Sequence, residues 1–500
     1  MIGILDRALG RVTMYRLVWM MLVALLLIAL GYSSAGLIFS TPLELVASTA
    51  VAVVSTTVVS ALMARVFRTR AHLESSMVTG LLIACLLFPT ATLSGLAVIA
   101  LVGAIAATSK FVLAWRGRHL MNPAAVAVLI IGITQLTAGA WWIASGVLWP
   151  WVVLASLLVV ARVRRWMIFL VYVGVSGGIS LWLSVQAGHE LGAAAELVLT
   201  TYPFIFAGAF MLTEPLTLAP RRWQQGIIAV IAALVASVPF RFGVFSATPE
   251  LGLVVGNLVA FAFALPQRRR LSLELTSTSV VAPGIAEYRF RSRFPLRFEP
   301  GQWLELELPH RADSRGTRRT FSIASAPGDG EIALATRISE KASSFKRTLA
   351  GLAPGSVVRA TTVGGDFLLP VDPAAPVLMV AGGIGITPFA SQLAALIGDS
   401  ARDIVLVYAA ARIEDVAYRE LLLRSGVRVV LVSKEAPDQL PEGWSHVSGR
   451  LSAELLLAAV PDTSRRIGYV SGSLLFVDTV RSALRGAGAR RVRTDAFAGY

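Results

Sequence analysis

Short segments of this chain carry residue types that could do chemistry. The run Val380-Ala381-Gly382-Gly383-Ile384-Gly385-Ile386-Thr387-Pro388 closes an apolar strand in glycines and restarts at Thr-Pro. Glycines at such a turn let a pyrophosphate approach the backbone, and the helix start beyond them favours an anion. The spacing is not Gly-x-Gly-x-x-Gly, so the segment is not a Rossmann fingerprint; its plain alternative is a tight strand-to-helix turn. In Arg319-Thr320-Phe321-Ser322 a guanidinium, which can fork onto phosphate oxygens, precedes an aromatic ring and a hydroxyl. Ser343 and Ser344 open a helical stretch, where a hydroxyl can cap the helix while the N–H groups attract an anion. Ser471-Gly472 ends another apolar run, and Arg412 stands where it could meet a phosphate or simply face solvent.

The first half offers fewer such groups. Asn122-Pro123 reads as a helix start, with the amide as cap and proline at the first helical position, or as an amide for a bound ring edge. Glu214 lies between Thr213 and Pro215 beside an apolar run, where a carboxylate is costly unless solvated or paired. It is either interfacial and structural or lines a cofactor or ion path. Cys85, the single cysteine, cannot close an internal disulfide or hold an iron–sulfur cluster alone, and reads as a buried small hydrophobe. No metal centre is expected.

The elements that must position these residues differ between the halves. Of 500 residues, 55% are hydrophobic and 15% charged, too apolar for an ordinary soluble protein, and the apolar residues concentrate before residue 266. Spans are expected near 17–37, 43–63, 77–89, 93–109, 121–135, 147–161, 166–185, 196–213, 224–240 and 250–265, about ten in all. The Leu17–Leu30 run lacks a small-residue cleavage site and reads as the first span rather than a signal peptide. With Arg7, Arg11 and Arg16 in the cytoplasm, that count puts Arg65, Arg68, Arg70, Lys110, Arg116, Arg118, Arg162, Arg164, Arg165, Arg221, Arg222 and Arg268–Arg270 on the same side. The opposite loops carry Arg241. Basic clusters between apolar runs account for the net charge of +15, so no nucleic-acid partner is expected. Trp141, Trp142 and Trp149 are expected as lipid anchors at the outer boundary. Two short spans end in proline, at Pro89 and Pro215, in matching positions of two sets of about five. Such a pattern fits inverted repeats around a midplane site; alternatively each proline ends an ordinary helix.

After Arg270 the texture changes. Leu271-Ser272-Leu273-Glu274-Leu275 alternates as a half-buried strand does, and Pro-Gly turns follow at 283–284, 300–301 and 354–355. We expect an antiparallel β-barrel over 271–370. Apolar strands at 376–381, 404–408, 428–432 and 467–470 alternate with helical stretches and predict a parallel α/β sheet over 371–500.

Two resemblances follow. Val78-Thr79-Gly80-Leu81-Leu82, Met121-Asn122-Pro123-Ala124-Ala125 and Gly208-Ala209-Phe210-Met211-Leu212-Thr213-Glu214-Pro215 make residues 70–265 resemble the membrane flavin subunits of sodium-pumping NADH:quinone reductase (its B subunit) and of the Rnf complex (its D subunit). That family has Asp where Glu214 stands. Its flavin is often FMN linked to threonine in an Asp-Gly-x-Ser-Gly-Ala-Thr motif; the nearest run here, Val175-Ser176-Gly177-Gly178, lacks the acid and the threonine. The resemblance therefore implies a second flavin, FMN or riboflavin, held non-covalently near Asn122, Thr213 and Glu214.

Residues 271–500 resemble the ferredoxin–NADP reductase superfamily. The resemblance implies FAD, with Arg319 on its pyrophosphate, Phe321 against the isoalloxazine, Ser322 near N5, Thr336-Arg337-Ile338 beside the flavin, and Lys341 to Phe345 at the phosphates. Gly364-Gly365-Asp366-Phe367 is similar to the family's Gly-Pro-x-Gly-x-Phe loop without its proline. Gly382, Gly383, Gly385, Thr387 and Pro388 would take NADH or NADPH, and Ser471 replaces the usual cysteine near the nicotinamide. Arg412 leaves the choice between the two nucleotides open. Tyr500 either covers the flavin or is a plain terminus. The expected protein is a multi-pass oxidoreductase of the cytoplasmic membrane with its reductase part in the cytoplasm. It would pass electrons from NAD(P)H through FAD and a membrane flavin to a quinone or an extracytosolic carrier, with partner redox subunits conceivable. The rival readings are a redox-driven ion pump and a haem-type ferric reductase. The latter needs paired axial histidines, which His72, His119, His189, His310 and His446 do not offer in the sequence.

Overall fold

Apolar runs in the first half fold as helices, which satisfy backbone N–H and C=O groups within the segment. The computed structural model describes residues 13–69, 72–115, 118–144, 146–265, 271–313, 316–339, 342–398 and 402–497. The chain divides into two units that meet in sequence between Pro266 and Gln267.

The first unit holds α1 (Met14–Ser34), α2 (Pro42–Val66), α3 (Leu73–Leu86), α4 (Leu93–Val112), α5 (Pro123–Ile133), α6 (Trp149–Val163), α7 (Trp166–Gln186), α8 (Leu191–Thr201), α9 (Arg222–Ser237) and α10 (Pro249–Ala264). Between α8 and α9 a short turn, Phe204–Phe206, runs into a π-helix, Ala207–Leu212. Of the about ten spans expected, five or six have the length and composition of a span. Among the described residues, five helices are long and apolar enough to cross a membrane: α1, α2, α4, α6 with its lead-in from Gly146, and α7. A sixth is reached only if α8 and the 204–212 segment, bent by 51°, count as one. The helices α3, α5, α9 and α10 have 14, 11, 16 and 16 residues. At about 1.5 Å per residue they fall short of a hydrocarbon core about 30 Å thick. Hydropathy ran past their ends: α3 stops at Leu86 although Leu87-Phe88-Pro89 continue the apolar run.

Small residues let these helices approach closely. A Cβ on Gly80 of α3 would stand 2.6 Å from Val53 Cα of α2, and one on Gly252 of α10 would stand 2.5 Å from the Ala232 carbonyl of α9. Ser48, Ala52, Thr56, Ser60 and Ala64 recur every four residues as the buried stripe of α2. In each set of five, the second helix packs on the fourth and the fourth on the fifth: α2 on α4 and α4 on α5, then α7 on α9 and α9 on α10. The expectation that three tryptophans are lipid anchors is corrected for two of them. Trp141 and Trp142 are buried, not lipid-facing, because their indole N–H groups have partners inside: Glu250 Oε2 at 3.1 Å and the Ala84 carbonyl at 2.8 Å.

The second unit begins with β1 (Leu271–Ala282), β2 (Ile285–Ser292), β3 (Trp303–Glu307), β4 (Arg318–Ser322), β5 (Glu331–Arg337), α11 (Ser344–Ala350) and β6 (Val357–Gly364). These strands form one antiparallel sheet in the order β4-β3-β6-β1-β2-β5. A bridge between Ile323 and Leu334 ties its two edges, so the sheet closes. Leu271, Leu273 and Leu275 point into the barrel while Ser272 and Glu274 are exposed.

Then come β7 (Val377–Gly382), α12 (Thr387–Ala394), β8 (Ile404–Ala409), α13 (Arg419–Arg424), β9 (Arg428–Ser433), β10 (Trp444–Ser448), α14 (Ala453–Ala459), β11 (Ile467–Ser473), α15 (Leu474–Gly486) and β12 (Val492–Phe497). All six strands are parallel, in the order β10-β9-β8-β7-β11-β12. Gly301 shows why the Pro-Gly turns are glycines. Its φ is +96°, and a Cβ there would stand 2.2 Å from the Phe367 carbonyl.

Candidate functional site

In the α/β layer, ligands are expected outside the carboxyl ends of the strands. The register brings three such ends together: Ala381 of β7 lies beside Ser471 of β11, and Ser471 beside Asp495 of β12. The glycine turn after β7 closes onto them. Gly383 has φ +52°, and a Cβ on Gly385 would stand 2.2 Å from the Ser471 carbonyl. Gly382 lies under the Phe476 ring, where a Cβ would meet ring atoms at 2.9 Å. A short 3-10 turn, Gly383–Ile386, leads into α12, which starts at Thr387-Pro388. The Ser471 hydroxyl is fully buried and has no hydrogen-bond partner among the described residues, an arrangement suited to a bound polar group.

The barrel contributes Ser322 from the end of β4. Its hydroxyl lies 3.2 Å from Asp495 Oδ2, a contact between residues 173 positions apart. Burial pushes the Asp495 carboxyl up to about 6, helped by the nearby Asp366 charge and opposed by the Ser322 hydrogen bond. Asp495 and Asp366 are functional candidates that the sequence reading did not assign roles.

Along β4 the side chains alternate. Arg319 and Phe321 are buried and Thr320 is exposed. Phe321 joins the barrel core, its ring 5.9 Å from Phe345 of α11. Arg319 packs over the Phe345 ring at 5.2 Å and donates to the Gly316 and Arg318 carbonyls. A carboxylate, Asp313, lies 3.6 Å from Arg319 and accepts from Ser344 N–H at 3.2 Å, so this corner holds an anion of the chain's own. Ser343 Oγ caps α11 by accepting from Lys346 N–H. Thr336 is buried on β5, Arg337 is exposed at its end, and Ile338 follows half-buried. Arg412 is largely exposed, 3.7 Å from Asp415, and is not drawn into the cluster. Lys341 and Tyr500 lie outside the described residues.

The first unit has a cluster of its own. Glu214, just after the π-helix, binds His119 Nε2 at 3.0 Å and accepts from Asn122 Nδ2 at 3.1 Å. Asn122 caps α5 with its carbonyl oxygen, and its own N–H donates to Asn257 Oδ1 at 2.8 Å. The amide is thus engaged both as cap and as Glu214 partner. Thr213 Oγ1 donates to the Ala209 carbonyl. Lys110, on α4 rather than in a loop, donates to Ser75 at 2.9 Å and 3.2 Å. Lys110, Asn122, Thr213 and Glu214 line one cavity with Leu82 and Phe210. The sequence reading had Asn122, Thr213 and Glu214 but not Lys110 or His119 as site residues; a lysine following an apolar run was the available signal.

An oxidoreductase NAD-binding domain model matches residues 379–482. The chain is 28% identical over 225 residues to the stachydrine N-demethylase reductase subunit Stc4 of Rhizobium meliloti, covering 43% of this chain and 63% of that protein. It is 28% identical over 237 residues to an NADPH oxidoreductase of Mycobacterium tuberculosis, covering 46% and 58%. It is 35% identical over 184 residues to ferredoxin–NADP reductase B of Sorangium cellulosum, covering 35% and 70%. The chain therefore spans about three fifths of the length of the first two relatives.

Proposed function

Because this chain belongs, through its second unit, to the ferredoxin–NADP reductase family, we propose that it is an NAD(P)H-dependent flavin oxidoreductase whose apolar helices form a membrane electron-transfer domain. The observation that carries the reading is the meeting of Ser322 with Asp495 at 3.2 Å, beside the buried Ser471 and the glycine turn after β7. One hydroxyl comes from the barrel and one from the α/β layer, as a site serving two ring systems requires.

In this reading Gly382, Gly383 and Gly385 admit the nucleotide pyrophosphate to the backbone, with Thr387 and Pro388 starting the helix behind it. Ser471 and Gly472 orient the nicotinamide. Arg319, Ser343 and Ser344 hold the FAD phosphates, and the Asp313 carboxylate already seated there supports an anion-binding corner. Phe321, Thr336, Arg337 and Ile338 flank the flavin, with Thr320 on the outer face of its strand. Bound FAD would supply a hydride acceptor that can release electrons singly. Ser322 holds the hydrogen bond at the reacting edge, and Asp495 orients its hydroxyl. Arg412 serves NADPH if it leaves Asp415 for a 2′-phosphate, and is a surface residue if NADH is used.

For the first unit, the resemblance to membrane flavin subunits and the cavity at Lys110, Asn122, Thr213 and Glu214 support a second, non-covalent flavin, FMN or riboflavin. The like packing of the two sets of helices supports inverted repeats around it. Electrons would leave to a quinone or an extracytosolic carrier, with the reductase unit in the cytoplasm. A second reading, coupling to ion movement, is favoured by one observation: Lys110, His119 and Glu214 gather in a mostly apolar unit.

Anaerobic titration of the purified full-length protein with NADH and NADPH tests the first reading. Bleaching of FAD followed by reduction of a second flavin supports it; no flavin reduction by either nucleotide refutes it. Sodium or proton movement into proteoliposomes during turnover decides the coupled reading.

A further inference from the structure

The segment before β4 places Asp313 on two groups assigned above to the flavin pyrophosphate. Its Oδ1 lies 3.6 Å from Arg319 Nη2, and its Oδ2 accepts from Ser344 N–H at 3.2 Å. In return, Asp313 N–H donates to Ser344 Oγ at 2.9 Å, and His310 Nε2 meets the same hydroxyl at 3.1 Å. The Arg319 side chain is 7% exposed and the Asp313 side chain 34%, so the guanidinium is sunk into the protein with the carboxylate at the more open edge. A guanidinium and a backbone N–H converging on two oxygens form the donor set that phosphate oxygens use.

Resting on the FAD reading above, we propose that Asp313 is a built-in competitor for the flavin's phosphates. It keeps Arg319 and Ser344 N–H occupied until a pyrophosphate arrives, and it must then withdraw. Two anions cannot share these donors without like-charge repulsion. Asp313 therefore sets the affinity for phosphate-bearing flavin and leaves affinity for the ring system alone untouched. Being partly exposed, the carboxylate is a weak internal ligand that a dianionic pyrophosphate displaces.

The test is equilibrium dialysis of the flavin-stripped full-length protein in detergent against FAD and, separately, riboflavin, which lacks phosphate. Asp313→Asn keeps the shape and removes the charge. It is expected to bind FAD about tenfold more tightly than the parent, equivalent to about 1.4 kcal/mol, with riboflavin binding unchanged. Asp313→Glu keeps the charge and is expected to bind FAD as the parent does. Unchanged or weaker FAD binding by Asp313→Asn, with the parent binding normally, overturns the competition and makes Asp313 a clamp for its loop. An equal gain for riboflavin overturns it as well. If no protein takes up FAD, the flavin reading itself fails.

Discussion

Two hydroxyls and one carboxyl meet at the candidate site of the second unit. Above about pH 6 Asp495 is a carboxylate that accepts a hydrogen bond from the Ser322 hydroxyl; below it the carboxyl is neutral and can donate. NAD(P)H-dependent flavin reduction should therefore change across that pH in stopped-flow measurements, and Asp495→Asn should flatten the profile. A Ser322→Ala variant that reduces flavin at the parent rate would remove Ser322 from the chemistry; we expect a loss on the order of 10²-fold. Stability has the opposite sign from the usual paired carboxylate. The folded Asp495 binds its proton more tightly than the unfolded chain, so its contribution falls as pH rises from about 4 through about 6 and stays level above. Asp495→Asn should remove that slope in denaturant titrations. Ser322, Ser471 and the glycines were legible because each sits in a local motif. Asp495 was not, because its partner lies 173 residues away and nothing near it in sequence announces the contact.

At the scale of elements, the glycine turn and the short helices carry the sharpest expectations. Gly385→Ala would drive a methyl into the Ser471 carbonyl, so the α/β layer should lose about 1–3 kcal/mol and nucleotide binding should fail together, read by thermal unfolding and by NAD(P)H titration. Asn122→Ala removes both the α5 cap and a Glu214 partner; a loss of at least about 1 kcal/mol is expected, and an unchanged melting temperature would count against a tight cluster. The strands of the second unit were readable because period-two alternation and continuous apolar runs report burial directly. The apolar helices of the first unit were read less well. Hydropathy reports composition, whereas the ends of α3 and α5 are set by backbone breaks, caps and carbonyl partners such as Trp142 on Ala84. The same blindness turned two buried tryptophans into expected lipid anchors.

For the molecule as a whole, the prediction is a stoichiometry. Acid extraction of the purified protein should release FAD and a second flavin, with no fluorescence left on the polypeptide; FAD alone would leave the first unit without a redox centre. The π-helix at Ala207–Leu212 adds a consequence that concerns phase. Its wide turn holds Gly208 against Tyr172 and Phe169 while delivering Glu214 to His119 and Asn122. Each residue of an ordinary helix advances about 100° around the axis. Were the same residues wound as a regular coil, everything downstream would swing round by roughly that angle. The acid would then face away from its partners although no named site residue had changed, so relatives with a regular helix over the same number of residues here would carry the same letters without the same cluster.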